Sequence, residues 1–387
     1  MIFVSETTNG DRIEYRDRKR YMWVISLLTI LIPTYWIVVF LATENPLWLC
    51  GPLLTIFGFI PVLDMIFGED PHNPPEEVVE QMAADSFYRR LLFCALPLYF
   101  VNFYGCFWIL GTHDVPLWLA AALTLGASAV SGGAIVVGHE LGHKLNRWDQ
   151  LGAMTANAFS AYGHFRLEHN RGHHTQVATP EDVASAKMGE SVYRFAIREQ
   201  YGALRRGIEI ERERLAKHGH NFWNWRNEIL QGYTLTLTIY GSVVALWGWR
   251  MLPFLLLHMY GAIWQLTLAN YVEHYGLLRA KRENGRYEAC TPRHSWNTNH
   301  IVSNLMLFHL QRHSDHHANP LRPYQALRNF EDLPHLPSGY PGCYVLAVIP
   351  PLWYRVMNPK VMAWADGDVS RVNCAPRIAQ HSIATST

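Results

Sequence analysis

The chain is 387 residues long, 49% hydrophobic and 13% aromatic, with 33 basic side chains against 32 acidic ones. That length allows one large domain or two ordinary ones, and so even a charge balance excludes a nucleic-acid partner, which would need a basic surface. The six cysteines, Cys50, Cys94, Cys106, Cys290, Cys343 and Cys374, include no C-x-x-C pair, which excludes a disulfide framework, an iron–sulfur site and a zinc ribbon.

In chain order, the charged run Asp11–Arg20 leads into an apolar stretch too long for a signal-peptide core, so no cleavable signal is expected. Six stretches then reach the roughly 20 residues that a bilayer requires: Met22–Ala42, Pro46–Phe67, Leu91–Gly111, Val115–Gly138, Ile229–Trp249 and Leu252–Val272. The connections Thr43–Asn45, Thr112–Asp114 and Arg250–Met251 can only turn the chain, so the spans pair into three hairpins. The N-terminus, Gly68–Arg90, Glu140–Glu228 and everything after Tyr271 then share one face, which carries nearly all the lysines and arginines and is therefore cytoplasmic. The expected fold is a single all-α integral membrane catalytic domain over 1–387: six transmembrane helices in three hairpins, with a cytoplasmic, histidine-rich helical cap from 139–228 and 273–387.

Trp23, Trp48, Trp118, Trp247 and Trp249 stand at span ends and suit interfacial belts. The fourth span carries Gly126, Ala127, Ser128, Ala129, Ser131, Gly132, Gly133 and Ala134; small residues let helix backbones approach closely in lipid, so this helix is expected at the centre of the bundle. Arg198–Lys217 is a helical run of mixed charge, read as a solvated or interfacial face. Tyr340–Val356 is apolar but broken by Pro341, Pro350 and Pro351, so a buried or interfacial segment is expected rather than a seventh span.

Twenty histidines are more than packing or surface chemistry calls for, and sixteen of them lie between His139 and His317. Just past the fourth span, HELGH places His139 and His143 one helical turn apart around Glu140, the pattern of zinc peptidases. A peptidase needs three protein ligands and a water, and the echo of a further acidic ligand around Asp366-Gly367 is faint. Three more motifs remain without a role in that reading: LEHNRGHH with His169, His173 and His174, NYVEHYG with His274, and LQRHSDHH with His313, His316 and His317. Residues i and i+4 share a helix face, so His139/His143, His169/His173 and His313/His317 are expected to pair, with His316 on the His313 face and His174 turned towards a second metal. Nine imidazoles are too many for one ion and suit two. Histidines with few thiolates suit ferrous iron that activates dioxygen.

HELGHK, EHNRGHH, NYVEHYG and LQRHSDHHA, in this order and spacing, resemble the four histidine motifs of the membrane alkane 1-monooxygenase (AlkB-type alkane hydroxylase) family. The six-span layout and the GEDPHNPPEE loop, Gly68–Glu77, match as well, so the resemblance covers nearly the whole chain. Membrane fatty-acyl desaturases and hydroxylases share the general architecture, but their middle box is usually H-x-x-H-H; xylene-type methyl monooxygenases are the nearer alternative. A histidine-rich metal transporter is disfavoured, because the span centres lack the ionisable residues of an ion pathway.

The resemblance implies nine ligands to two iron ions: His139, His143, His169, His173, His174, His274, His313, His316 and His317. Glu140, Glu168, Glu273 and Asp315 each adjoin a ligand and are expected to orient the imidazoles or, alternatively, to pair with Lys144, Arg171 or Arg312. His164, His218, His220, His258, His294, His300 and His309 are left as structural or surface residues. The implied reaction inserts one atom of O2 into the terminal methyl of a linear alkane, the other leaving as water with two electrons and two protons. An apolar channel among the spans is expected to end at the histidines. The electrons are expected from rubredoxin, reduced by an NAD(P)H-dependent reductase and docking through arginines and lysines near the clusters, at the cytoplasmic face of a bacterial inner membrane.

Overall fold

The computed structural model describes residues 1–7 and 9–376. It is mostly helical, and five of its helices are long and apolar enough to cross a membrane, or six if one bent pair is a single span. Helix α1, Val24–Ile30, and α2, Ile32–Thr43, form that pair, bent by 52°. Pro33 sits in the first turn of α2 and has no N–H to extend the ladder across Leu31. Asn45 accepts from Leu47 N at 3.1 Å and starts α3, Pro46–Phe67. Asp85 caps α4, Ser86–Thr112, through Phe87 N at 2.9 Å. Then come α5, Leu117–Gly142, and α6, Arg147–Phe159. A short α7, Phe165–Glu168, runs into a π-helical turn, His169–His173. Helix α8, Val192–Ala216, precedes the last two long apolar helices, α9, Glu228–Trp247, and α10, Leu252–His274. The C-terminal part contains α11, His313–Ala318, α12, Tyr340–Ala347, and α13, Pro350–Trp364.

The chain is not all-α. Ile2–Glu6 and Arg12–Arg16 pair as an antiparallel β-hairpin: the second segment alternates apolar and polar residues, the first is rich in β-branched and aromatic ones, and Gly10 takes the positive φ (85°) of the intervening turn. Trp23 is also not interfacial: it is buried, with the rings of His309 and Tyr324 edge-on at 5.1 Å each. Trp48, Trp118 and Trp249 are exposed at helix ends, as an interfacial belt requires.

Helix α5 is central. Its apolar window is 78% buried, against 28% for α9. The small residues account for this difference. A Cβ on Gly132 would stand 2.5 Å from Gln265 of α10, one on Gly126 2.5 Å from Pro52 of α3, and one on Gly138 2.2 Å from Asn157 of α6. Lipid supplies no hydrophobic drive for helix association, so this close approach and its van der Waals contacts hold the bundle together. The proline-broken segment near the C-terminus folds as α12 and α13 and packs Tyr340, Cys343, Trp353 and Met357 against Tyr271 and Tyr275 at the end of α10.

Candidate metal centre

Four pieces of chain deliver the nine clustered histidines to one place. The end of α5 carries His139 and its C-cap is His143, the π-helical turn and the residue after it carry His169, His173 and His174, the last residue of α10 is His274, and α11 carries His313, His316 and His317. They separate into two groups, each with one donor atom per residue within 4.8 Å of all the others: His139, His143, His169, His174 and His316 in one, and His173, His274, His313 and His317 in the other. In the first, Nε2 atoms lie 3.4 Å apart for His139 and His143, 3.0 Å for His169 and His174, and 3.1 Å for His174 and His316. In the second, the Nε2 atoms of His313 and His317 are 2.8 Å apart. The groups adjoin, with 4.6 Å between the ring centroids of His174 and His317.

The pairing expected from i, i+4 spacing holds for His139/His143 and His313/His317 but not for His169/His173. The His169–His173 segment is π-helical, and a π-turn brings i and i+5 together. His169 therefore meets His174, and His173 swings into the other group. His316 likewise leaves the face of His313 and joins His139, with ring centroids 4.2 Å apart.

Burial fits these rings for metal, His173 excepted, where Asp182 outweighs burial and holds the imidazole above its usual range. Burial pushes the His143 imidazole down to about 4, aided by Lys144. It drives His169, His174, His313, His316 and His317 well below the usual histidine range, and the neighbouring imidazoles add to the effect. Neutral rings offer the lone pairs that a cation needs. Proton sharing satisfies ring nitrogens only in pairs, and the buried Nε2 atoms of His173 and His274 have no hydrogen-bond partner at all. A cation at each group would serve every converging nitrogen at once, so the donor set fits a metal.

Of the four carboxylates expected to orient imidazoles, only Glu273 touches one among the described residues, with Oε2 3.1 Å from His313 Nε2. Glu140 pairs with Lys144 at 3.1 Å, Glu168 with Arg206, and Asp315 with Arg322 at 3.2 Å. The strongest orienting contact belongs to a residue the motifs did not point to. His173 Nδ1 donates to Asp182 Oδ2 at 2.9 Å, and Arg206 of α8 approaches Asp182 Oδ1 at 3.1 Å while also binding Glu168. Burial alone would raise the Asp182 carboxyl, but His173 and Arg206 hold it well below the usual carboxylate range. Its only sequence signal was an acid nine residues after His173. Helix α8 keeps the exposed face its charges suggested, with Arg205 and Glu209 on it, but its other face buries Phe195, Glu199 and Ala203 and sends Arg206 to the site.

His309, whose Nδ1 is 3.2 Å from Tyr324 O, and His300, beside Thr298 at 2.6 Å, stay outside both groups. His164 pairs with Tyr233 and His258 with Tyr240 and Ser131. His294 sits against Glu288, and His218 and His220 are hydrogen-bonded near Arg214 and Arg226.

A narrow apolar pocket ends at the centre. Its polar end is His139, His169, His313 and Glu273; Ile56, Ala129, Gly133, Val136, Leu266 and Leu310 are among the residues that form its walls.

The fatty acid desaturase family matches residues 116–344, more than half of the chain and a span that holds all nine clustered histidines. An alkane 1-monooxygenase of Ectopseudomonas oleovorans is 48% identical over 361 residues, which is 93% of this chain and 90% of that protein. The chain belongs to the alkane 1-monooxygenase family. A second member, alkane 1-monooxygenase 1 of Alcanivorax borkumensis, is 44% identical over 95% of this chain and 91% of its own length. The hydroxylase component of a Pseudomonas putida xylene/toluene monooxygenase is more distant, at 25% identity over 80% of the chain. The alkane 1-monooxygenase family is one of oxidoreductases, and this member is an integral membrane protein by the length and apolarity of its helices.

Proposed function

We propose that the chain is a non-haem di-iron monooxygenase that converts the terminal methyl of a linear alkane to a primary alcohol, using O2 and two electrons. The observation that carries this reading is the division of nine imidazoles, seven buried and two half-buried, into two adjoining groups at the end of an apolar pocket. His139, His143, His169, His174 and His316 would hold one iron, and His173, His274, His313 and His317 the other. Bound iron supplies dioxygen activation, the chemistry that an unactivated C–H bond demands and that no side-chain acid or base can provide.

The protein's own residues do the rest. Asp182 keeps the proton of His173 on Nδ1, leaving Nε2 for the metal. Ser295 Oγ lies 3.4 Å from His274 Nδ1 and anchors that ring from behind. Ile56, Ala129, Val136, Leu266 and Leu310 can line a slender hydrocarbon and exclude water from its end. Alkanes partition into lipid, so a pocket among apolar helices loads from the bilayer.

We read 1–387 as one membrane catalytic domain, with its helices in three hairpins and both the termini and the histidines on the cytoplasmic side of a bacterial inner membrane. The concentration of lysine and arginine at that end of the bundle supports this orientation. The electron donor is rubredoxin, kept reduced by an NAD(P)H-dependent reductase and docking on the basic face near the clusters. Metal and product analysis of the purified protein tests the reading. About two irons per chain and octan-1-ol from octane are expected. A single zinc, or oxygenation only of acyl chains, would overturn it.

A further inference from the structure

The histidine-bearing end of the bundle has a second recess, remote in character from the apolar pocket. It is a groove of about 470 Å³ between α6, the start of α9 and the end of α8, and its wall includes Arg147, Arg166, Arg214 and Arg226 against the single carboxylate of Glu228. Glu228 is engaged by Arg166, and Arg214 is held by Glu211 at 2.6 Å. Arg147 and Arg226 meet no carboxylate among the described residues; their guanidiniums lie over the rings of Trp148 and Trp225, at 5.4 and 5.3 Å. The groove therefore keeps unneutralised positive charge.

Its rim is unusually apolar for such a charged place. Trp148 is 58% exposed and Trp225 76%, and both line the groove. Exposed tryptophans beside arginines at the polar end of a membrane-spanning helix suit the headgroup layer, where the ring body meets acyl chains and the cation meets phosphate. The floor is closed by the contact of Gly163 with Gly232, where an added Cβ would come within 2.9 Å of backbone. Leu151 and Met154 continue the wall along α6 towards the apolar part of the bundle.

We propose that this groove seats the phosphate headgroup of an anionic phospholipid of the surrounding bilayer. Arg147 and Arg226 grip the phosphate from the open side, Arg166 and Arg214 form the back, and the acyl chains run along Leu151 and Met154. An acidic protein surface would also favour the arginines, but would leave Trp148 and Trp225 facing water. The inference rests on the membrane reading and is independent of the reaction.

Native mass spectrometry of the full detergent-solubilised chain, offered phosphatidylglycerol and phosphatidylcholine in equal amounts, tests it. Retention of phosphatidylglycerol by roughly tenfold over phosphatidylcholine is expected, falling to parity in the R147Q/R226Q double variant and largely kept in R147K/R226K. Helix content and bound metal should be the same in all three proteins, which separates headgroup loss from misfolding and from failure of the metal reading. Equal retention of the two lipids by the unsubstituted protein, or an undiminished preference in R147Q/R226Q, would overturn the proposal. So would displacement of the lipid by inorganic phosphate at matched concentration, which would make free phosphate the occupant. Loss of donor-coupled turnover in R147Q/R226Q with lipid preference intact would assign the groove to an acidic protein instead.

Discussion

The two imidazole groups are built differently. In the four-histidine group every ring is buried, His173 is tied to Asp182, His274 is backed by Ser295, and His313 touches Glu273. In the five-histidine group, His143 and His174 are only partly buried and no carboxylate touches a ring among the described residues. One group is held in place by hydrogen bonds and packing. The other gains its order from numbers, with five rings from three segments sharing one small volume. The contrast teaches that imidazoles can be brought together by number or fixed by hydrogen bonds, and that this chain does each once.

Breaking the fixation should have the largest effect. Asp182→Asn leaves the shape of the pocket unchanged but removes the charge that keeps Nδ1 of His173 protonated, and loss of such a partner typically costs about 10–100-fold in metal affinity or activity. Glu140→Gln, which breaks only a pair with Lys144, should leave metal content near normal. Equal iron retention by both variants in a chelator titration would erase the distinction between the groups.

A substitution in the pocket that both groups border should have an intermediate effect. Ala129 lines its wall, and Ala129→Trp should shift the product distribution towards shorter alkanes while iron content stays constant. An unchanged chain-length profile, measured on an alkane mixture, would mean that substrate reaches the metals another way.

The smallest effect is a stability term, and it sharpens the comparison through a third buried carboxylate. Glu199 has no cationic partner among the described residues; it accepts from Thr267 at 2.9 Å and Asn270 at 3.2 Å, and burial pushes it up to about 7. A carboxyl raised above its unfolded value folds best when protonated, so its contribution is full below about pH 4.5, declines as the pH rises towards 7, and is absent above. Glu199→Gln should remove that decline, making the variant relatively more stable at pH 8 than at pH 5 by on the order of 2 kcal/mol. Parallel thermal melts at the two pH values would refute the neutral, unpaired state of Glu199. Asp182, pinned by Arg206 and His173, should behave in the opposite sense.

Much of the fold was legible because lipid imposes simple rules. Apolar length marks the crossing helices, and the small residues from Gly126 to Ala134 mark the central one. What lay outside those rules was missed. The N-terminal hairpin sits in a charged stretch outside the apolar spans, and Trp23 looked like an anchor until the packing of His309 and Tyr324 enclosed it. The lipid groove was invisible in the chain, since Arg147, Arg166, Arg214 and Arg226 are far apart along it and meet only through the packing of α6, α8 and α9.

The amino-acid sequence by itself determined the chemistry available: nine imidazoles in four motifs beside apolar helices, too many for one ion and unsuited to thiolate chemistry. It did not determine which imidazoles fall into which group. That was decided by the π-turn over His169–His173, by the way α11 divides His316 from His313 and His317, and by α8 bringing Arg206 to Asp182. The physical reason is that residue types are inherited directly from the chain, whereas the partners of a side chain depend on backbone rotation and on elements dozens of residues away, which only the packed structure specifies.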